Sequence, residues 1–482
     1  MSDNLKLKLT KDLKHIIVYL IIIAISFLMP QTAEITKVGW RIIGVFVAAV
    51  YGWSMTKELW PGMLSIFMIP LTGAMNVAAV LAGGIGFVPV IFVALIFVFI
   101  GFLQKFKVSE FMASWLLTRK FLKGRPWLLA IGIFVVAFLV CSLVNSFIGV
   151  LLTWQIIYDL SKKAGYQPRD KTPTLLLVGV ALLGVCSLIA FPWSDQSVAM
   201  LGFVAQMVGP YSAGKYVFVS LTFGLFTLIV YCLLCAFVFR MDVKKLKDLD
   251  PKSIVSEEDL RMTPARKLAF IILVVVFVLF VLNAFLPAGN IIKTFLSTIG
   301  LPGILMFVFV FLAIFKVDDK PVFQFREMAQ SINWNVVFIM STCMPLGTAL
   351  VSDTCGITAF INSSIVPLLT GMPKVVFFLV LAFVIVILTN FLNNIPVCIL
   401  FLPIAAGAAG AFGVAPEQLA FLVITSSVTA WMTPSSSPLG TLLYGNAEWI
   451  APKSILKYGL PILVIITVIT ALWNCFVVGM FY

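Results

Sequence analysis

Long apolar runs, separated by short polar and basic stretches, make up most of the chain. In one stretch, an apolar run at 375–388 leads into the polar string 389–396, and a second run at 397–406 leads out of it. Neither run crosses a bilayer alone, because fourteen helical residues cover about 21 Å and the hydrocarbon core is about 30 Å thick. The pattern predicts a re-entrant hairpin whose polar tip lies at mid-membrane depth, inside protein or beside a watery cavity.

One long helix with a proline kink is the alternative interpretation, with its asparagines bonding a neighbouring helix. Against it, Asn394 stands two residues before Pro396, which is typical of an N-cap followed by a proline in the first turn. Thr389, Asn390 and Asn393 fall on the same helical face as Asn394. A cap and a first-turn proline mark the start of a new helix, and therefore a break.

An internal repeat follows from the order of the elements. A tail at 1–15 precedes the first repeat at 16–239, and a charged linker at 240–267 separates it from the second repeat at 268–482. Each repeat is expected to hold one hairpin and one helix broken by polar residues and proline: a hairpin at 126–160 and a broken helix at 173–209 in the first, and a hairpin at 373–410 and a broken helix at 417–450 in the second. The tips at 141–146 and 389–394 correspond, as do the breaks at 191–196 and 433–440.

The positions of the basic residues predict the orientation of the two repeats. We assume that the N-terminus is cytoplasmic and that each hairpin returns to the side from which it enters. Of the 33 Lys and Arg residues, 28 then lie on the cytoplasmic side, and the others are Lys37, Arg41, Lys215, Lys293 and Lys374. The two hairpins then enter from opposite sides, so the repeats are inverted. Inverted repeats with broken helices are the architecture of secondary transporters.

Composition agrees with this interpretation. The chain of 482 residues is 61% hydrophobic and 11% charged, with a mean hydropathy of +1.11. We therefore expect an all-α polytopic protein of the cell membrane with about eleven transmembrane segments and lipid around it. The net charge of +13 does not indicate nucleic-acid binding, because the basic residues lie in short loops, where they set orientation.

Enzyme chemistry and bound cofactors are not expected. The single histidine, His15, lies in the N-terminal tail, and the membrane segments offer only isolated candidates for a base, nucleophile or metal ligand. Cys232 and Cys235 lie in an apolar helix without a second ligand pair. A bound sodium ion is the one exception that the polar breaks allow.

The two tips and the two breaks are expected to meet at the midplane. Ends of broken helices present N–H groups to an anion, whereas unwound carbonyls and hydroxyls suit a hard cation such as sodium. These stretches contain no Lys or Arg, so amides, hydroxyls and bound cations would hold an anion. We expect substrate contacts, rather than mere helix caps, from Asn145 and Asn394, and further contacts from Ser146, Asn393, Ser437 and Pro438. Hydroxyls of the serine run bonding their own segment are the alternative.

At this point the sequence resembles the divalent anion:sodium symporter family of the ion transporter superfamily. That family carries Ser-Asn-Thr at each tip, and the second tip here reads Asn393, Asn394, Ile395, followed by LFLPI at 400–404. The family's upstream Thr matches Thr389, and its Thr-Pro matches Ser437 and Pro438 within TAWMTPSSSPLGTLLYG. The stretch 334–360 is similar to the family's Trp-led span with Leu-Gly-x-Ala.

The first repeat departs from that pattern. Its tip reads Val144, Asn145, Ser146, and its break carries Asp195 where a small neutral residue is usual. The resemblance therefore puts a sodium site in the first repeat in doubt. It better supports a sodium site in the second repeat, formed by Thr389, Asn394, Ser436 and Ser437. It also implies a homodimer that moves dicarboxylates or related anions by an elevator motion of the hairpin domain.

Asp195 leaves the coupling open. A carboxyl at membrane depth is expensive and by default functional, and both its ionised and protonated forms would couple transport to a cation or a proton. The first tip lacks the Ser-Asn pair that the resemblance ties to sodium, which favours the proton. A structural carboxylate bonded to the tip amides is the alternative. The leading hypothesis is a carrier of small organic dianions such as succinate, malate or citrate, coupled to a cation or working as an exchanger. A cation/proton antiporter or an arsenite-type permease of the same superfamily is the alternative that Asp195 favours.

Overall fold

Helices account for nearly all of the regular structure. The computed structural model describes residues 2–56, 58–247, 249, 255–287, 289–317, 319–369, 371–434 and 436–482, with the side chains of 2–12, 195 and 320 outside that description. Its one small sheet pairs β1 (Lys316–Val317) with β2 (Lys320–Pro321) in antiparallel order.

The first half of the chain contains a tail helix, two early helix pairs, a hairpin and a broken helix. In chain order its longer helices are α1 (Ser2–Leu28), α2 (Lys37–Thr56), α3 (Trp60–Thr72), α4 (Val77–Gly83), α5 (Val88–Lys105), α6 (Val108–Leu117), α7 (Pro126–Leu143), α8 (Ser146–Lys163), α9 (Lys171–Ser187), α10 (Asp195–Met207) and α11 (Ala213–Leu233). A π-helical turn, Leu234–Val238, extends α11.

The second half repeats the order of hairpin, broken helix and final long helix. Its longer helices are α12 (Pro264–Phe285), α13 (Ile291–Ile314), α14 (Trp334–Val351), α15 (Lys374–Thr389), α16 (Asn394–Ala409), α17 (Pro416–Ser427), α18 (Pro438–Gly445) and α19 (Pro452–Leu472). Short helices at Glu257–Leu260, Phe325–Met328, Ile357–Phe360 and Val366–Leu369 lie in the connections.

At both predicted hairpin positions two helices turn back on each other, and their re-entrant depth in the membrane stays a prediction. In the first, α7 and α8 lie so close that a Cβ added at Gly149 would stand 2.9 Å from the backbone nitrogen of Cys141. In the second, the rings of Phe377 and Phe412 stack with centroids 4.0 Å apart at the base, while Thr389 and Asn394 meet at the tip. Each chain segment therefore turns back on itself, and the single kinked helix is excluded.

Membrane-length helices are plentiful. Among the described residues, eight helices are long and apolar enough to cross a bilayer, or nine if the bent pair Ile357–Leu369 and Lys374–Thr389 is one span. The predicted helical membrane fold is confirmed, and the count of about eleven segments stays a prediction. Since α7, a hairpin arm, is one of the eight, length and composition alone do not separate an arm from a span.

One helix boundary was predicted wrongly. The sequence predicts an apolar span at 417–433, but α17 ends at Ser427 and the chain stays unwound until α18 begins at Pro438. Backbone groups beyond Ser427 bond the tip of the second hairpin instead of the next helical turn. The break in the second repeat therefore begins at Val428, five residues before the predicted start at Thr433, and ends at Ser437, three residues before the predicted end at Gly440.

Candidate binding site

The first hairpin tip is a two-residue turn closed by a cap. Asn145 is the N-cap of α8, and its Oδ1 accepts hydrogen bonds from the backbone nitrogens of Phe147 at 3.0 Å and Ile148 at 3.2 Å. The expectation that Asn145 does not act as a cap is wrong, because the sharp turn leaves the first N–H groups of α8 in need of an acceptor. Its role toward substrate stays a prediction.

A small enclosed cavity of about 50 Å³ lies at this tip. Hydroxyl groups face it from Ser142, Ser146, Ser187 and Ser194, and the hydroxyls of Ser146 and Ser187 lie 2.8 Å apart. The buried hydroxyls of Ser142 and Ser194 have no hydrogen-bond partner among the described residues. The cavity is covered by an aromatic cluster: Trp193, Phe277 and Phe280.

The second tip is capped one residue earlier than predicted. Asn393, not Asn394, is the N-cap of α16, with Oδ1 accepting from the backbone nitrogen of Ile395 at 3.2 Å. Asn394 is the first helical residue, and it is buried, with 2% of its surface exposed. Its amide is used elsewhere, donating to Oε1 of Gln196 in α10 at 2.9 Å. That bond joins the second tip to the broken helix of the first repeat.

Asn390 holds the second tip against the break between α17 and α18. Its Oδ1 accepts from the backbone nitrogens of Trp431 at 3.1 Å and Met432 at 2.8 Å. Its Nδ2 donates to the carbonyl oxygens of Val386 at 2.8 Å and Thr429 at 2.9 Å. Both donors and both acceptor positions of this buried amide are thus satisfied, and it substitutes for helical hydrogen bonds that α17 does not make.

The sequence predicts no separate role for Asn390. It indicates only that Asn390 is one of the polar residues on the face of the tip. The available signal was an asparagine shortly after the apolar run 375–388, because a buried amide at membrane depth needs hydrogen-bond partners.

Two of the four predicted sodium ligands meet at this tip. Oγ1 of Thr389 lies 3.4 Å from Oδ1 of Asn394 and donates to the carbonyl oxygen of Ser427 at 2.5 Å. Ser436 and Ser437 are engaged within the break, since Ser436 donates to Thr433 and Ser437 donates to Ala430. The interpretation that these hydroxyls bond their own segment therefore holds for both serines. In the described contacts, neither is hydrogen-bonded to Thr389 or Asn394.

Ser437 also starts the helix that follows. Its Oγ accepts from the backbone nitrogen of Gly440 at 3.1 Å, and Pro438 occupies the first turn of α18. The cap and the proline fix where the N-terminal end of α18 lies, beside the second hairpin tip. Asn393, Ser437 and Pro438 therefore lie on one surface.

That surface borders a cavity of about 660 Å³. Three predicted substrate residues line it, Asn393, Ser437 and Pro438, whereas Asn145 and Ser146 line the small cavity at the first tip. The described lining contains no Lys or Arg, and its one acidic residue is Glu58. The opposite walls are formed by α2, α8 and the start of α14, through Trp53, Ser54, Trp154, Tyr158, Asn333 and Asn335.

Asp195 is the first residue of α10, and its side chain lies outside the described residues. Its predicted role in coupling therefore stays a prediction. The neighbouring Gln196 reaches Asn394, so the break that carries Asp195 and the second hairpin tip do meet.

Comparison with known proteins identifies the class to which this arrangement belongs. A family profile described as citrate transporter matches residues 8–426. The chain belongs to the citrate transporter family. This citrate transporter family member is therefore a transporter, and its apolar helices make it a multi-pass membrane protein. The predicted resemblance to divalent anion:sodium symporters is confirmed by the relatives.

Three relatives illustrate that similarity. The sodium-dependent high-affinity dicarboxylate transporter 2 of Caenorhabditis elegans is 25% identical over 124 residues, 26% of this chain and 22% of the relative. The Na(+)/dicarboxylate cotransporter 3 of Rattus norvegicus is 23% identical over 143 residues, 30% and 23% of the two chains. An uncharacterized transporter of Synechocystis is 28% identical over 153 residues, 32% and 24%. The matches span about a quarter of the length of each relative.

Two solved structures share the fold. The YdaH transporter of Alcanivorax borkumensis superposes with a TM-score of 0.52 at 13% identity, covering 84% of this chain and 87% of that one. MtrF of Neisseria gonorrhoeae, described as illuminating a class of antimetabolite efflux pumps, has a TM-score of 0.54 at 16% identity, covering 83% of both chains. At these identities the likeness concerns the fold alone.

Proposed function

We propose that the protein is a secondary carrier of small organic dianions, of the dicarboxylate or tricarboxylate class, in the cell membrane. The observation that carries the proposal is the cavity of about 660 Å³ where the second hairpin tip meets the start of α18. Its polar lining consists of amides, hydroxyls and the carboxyl of Glu58, and it has space for a molecule of this size. The relatives named dicarboxylate transporters support the same substrate class.

An anion in this cavity would be bound without a basic side chain from the described lining. The N-terminal end of α18, at Pro438, lies in the wall of the cavity near Asn393. Backbone N–H groups and the positive end of the helix dipole are therefore available to an anion there. Asn333 and Asn335 offer amides from the opposite wall. These N–H groups and amides only partly compensate the two negative charges of a dianion. A cation bound nearby therefore lowers the free-energy cost of transferring the dianion from water into the cavity.

Sodium fits the space beside the second tip chemically. Oxygen atoms of Thr389, Asn394 and the Ser427 carbonyl are grouped there, and hard cations prefer such ligands. We therefore propose sodium, held by Thr389 and Asn394 with the Ser436 and Ser437 segment closing the site, as the coupling ion of this half.

Transport would proceed by an elevator motion. The second hairpin and the α17–α18 break are tied by Asn390, which makes them candidates to move as one body against α2, α3 and α14. Inverted repeats, a cytoplasmic N-terminus and a homodimer complete the proposal. A cation/proton antiporter is kept as a second candidate because the acidic Glu58 lines the same cavity.

Uptake of labelled succinate by proteoliposomes tests the proposal. Sodium, proton and internal-succinate gradients are imposed one at a time, with protein-free liposomes as the control. Uptake driven by sodium or by internal succinate is expected, and loss of uptake is expected in Asn393→Ala. Failure of succinate, malate and citrate under every gradient, together with proton-driven cation movement, would favour the antiporter instead.

A further inference from the structure

We propose that the segment joining α6 to α7 is a binding surface for anionic phospholipid. This inference is independent of the transported substrate, because it depends only on the protein lying in a membrane. The segment is the stretch 115–125, which we call the basic loop. The four cationic residues of the basic loop are Arg119, Lys120, Lys123 and Arg125, and from 111 to 125 the sequence has no Asp or Glu.

Two large aromatic side chains of the basic loop point outward. Trp115 is 45% exposed and Phe121 is 60% exposed, beside the exposed cations Lys120 and Arg125. Aromatic rings of this kind prefer the headgroup region of a bilayer, where one part meets acyl chain and another meets water. The alternation of exposed rings with cations is the composition of an interfacial membrane contact.

Arg119 is fixed in position by Trp115. Its guanidinium carbon lies 3.8 Å from the centre of the Trp115 ring, and its Nε donates to the Trp115 carbonyl oxygen at 2.8 Å. A stacked guanidinium is weakly hydrated and matches the geometry of phosphate oxygens. The pair therefore presents a phosphate-binding group next to an aromatic anchor.

Three of the four cations of the basic loop, Arg119, Lys120 and Arg125, lie outside the ion pairs of the described residues. The ion pairs found there join Lys105 to Glu327 at 2.7 Å and Lys107 to Glu258 at 3.0 Å. In the part of the chain that the structure describes, no acidic residue forms an ion pair with Arg119, Lys120 or Arg125. These three charges are therefore available to an anionic ligand.

The position of the basic loop favours lipid over a soluble partner. It ends at Pro126, the first residue of α7, an apolar helix of membrane length whose Leu128 is exposed. Cations at the end of such a helix lie beside lipid headgroups, and anionic headgroups attract juxtamembrane Lys and Arg. Since α7 is the first arm of the hairpin, a bound lipid would anchor the base of that arm.

Binding of acyl-labelled phosphatidylglycerol to the purified protein in neutral detergent tests the proposal, with fluorescence anisotropy as the readout. Lys120→Gln combined with Arg125→Gln should weaken binding about 25-fold, from about fivefold for each cation removed. Lys244→Gln combined with Lys247→Gln is the matched control, because it removes the same charge from exposed lysines of the linker. This control should change binding less than about threefold. The thermal midpoint without lipid should stay the same in both double variants, as expected for exposed side chains.

Competition identifies the source of the phosphate group. Unlabelled phosphatidylglycerol should displace the probe, whereas phosphatidylcholine and millimolar inorganic phosphate should not, and 0.5 M salt should weaken binding. Equal affinity of the wild type and the Lys120/Arg125 double variant would overturn the proposal. Displacement by inorganic phosphate as efficient as by lipid would overturn it too, by showing a site for soluble anions.

Discussion

The side-chain nitrogen of Asn390 donates a hydrogen bond to the carbonyl oxygen of Thr429, 2.9 Å away and 39 residues later in the chain. Asn390 ends the first arm of the second hairpin, and Thr429 lies just past the end of α17. This contact, with those to Trp431 and Met432, makes an unwound stretch of backbone part of the hairpin. The shape of the binding cavity therefore depends on a residue that does not line it.

Replacing Asn390 by alanine should both destabilise the protein and abolish uptake. The change leaves the buried backbone groups of Thr429, Trp431 and Met432 without partners, and each such loss costs about 1–3 kcal/mol. The thermal midpoint in detergent and succinate uptake are the measurements. Asn76→Ala, which removes an exposed helix cap far from the cavity, is the control and should cost about 1 kcal/mol without loss of uptake. Wild-type stability and uptake in Asn390→Ala would contradict this assignment.

Asn394→Ala should abolish uptake with little change in detergent stability, because Asn394 contacts Gln196 but caps no helix. Asn145→Ala should abolish uptake as well and also lose a cap worth about 1 kcal/mol. Asn145→Ser separates the two effects, since serine caps a helix but offers no amide. If the amide contacts the substrate, this variant is stable and inactive. Substantial transport by both alanine variants would refute the predicted contacts.

The orientation of the repeats can be read from two exposed serines. Ser256 lies in the linker and Ser363 lies in the stretch before the second hairpin. In a background without its eight cysteines, Ser363→Cys should react with an impermeant thiol reagent added to intact cells, and Ser256→Cys should react only after lysis. The converse pattern would invert the proposed topology, and equal labelling of both would refute inverted repeats.

The pH dependence of uptake tests Asp195. If its carboxyl carries the coupling proton, wild-type uptake should respond to pH or to a proton gradient, and Asp195→Asn should lose that response while still exchanging internal for external substrate. Asp170→Asn, at the start of α9, is the matched control and should keep the wild-type profile. An unchanged pH profile in Asp195→Asn would show that another group carries the coupling.

Local signals in the sequence predicted the elements that depend on local chemistry. The stretch at 334–360 begins with α14 (Trp334–Val351), and the apolar runs on either side of 389–396 form the helices α15 and α16. The cap of α16 was misplaced by one residue because Asn393 and Asn394 are chemically equal candidates. Only the fold shows that Gln196 engages Asn394 and leaves Asn393 to cap.

Boundaries set by distant contacts were not predictable in this way. The run 428–432 is mostly apolar and contains no Pro or Gly, so the sequence predicts that it continues α17. It is unwound because Asn390 of the second hairpin accepts hydrogen bonds from its backbone. Asn390 is about 40 residues away in the sequence, so a local pattern does not reveal this interaction. The same reason explains why Ser436 and Ser437 were expected to face an ion and instead bond backbone within the break.

The hydrogen bond from Asn394 to Gln196 joins unlike residues, an asparagine of the second hairpin and a glutamine of the first broken helix. The two predicted repeats therefore contribute different residues to this contact. Neither half, expressed alone, holds both sides of this contact. A gene split within the linker would therefore need both fragments in the same cell to rebuild a working cavity.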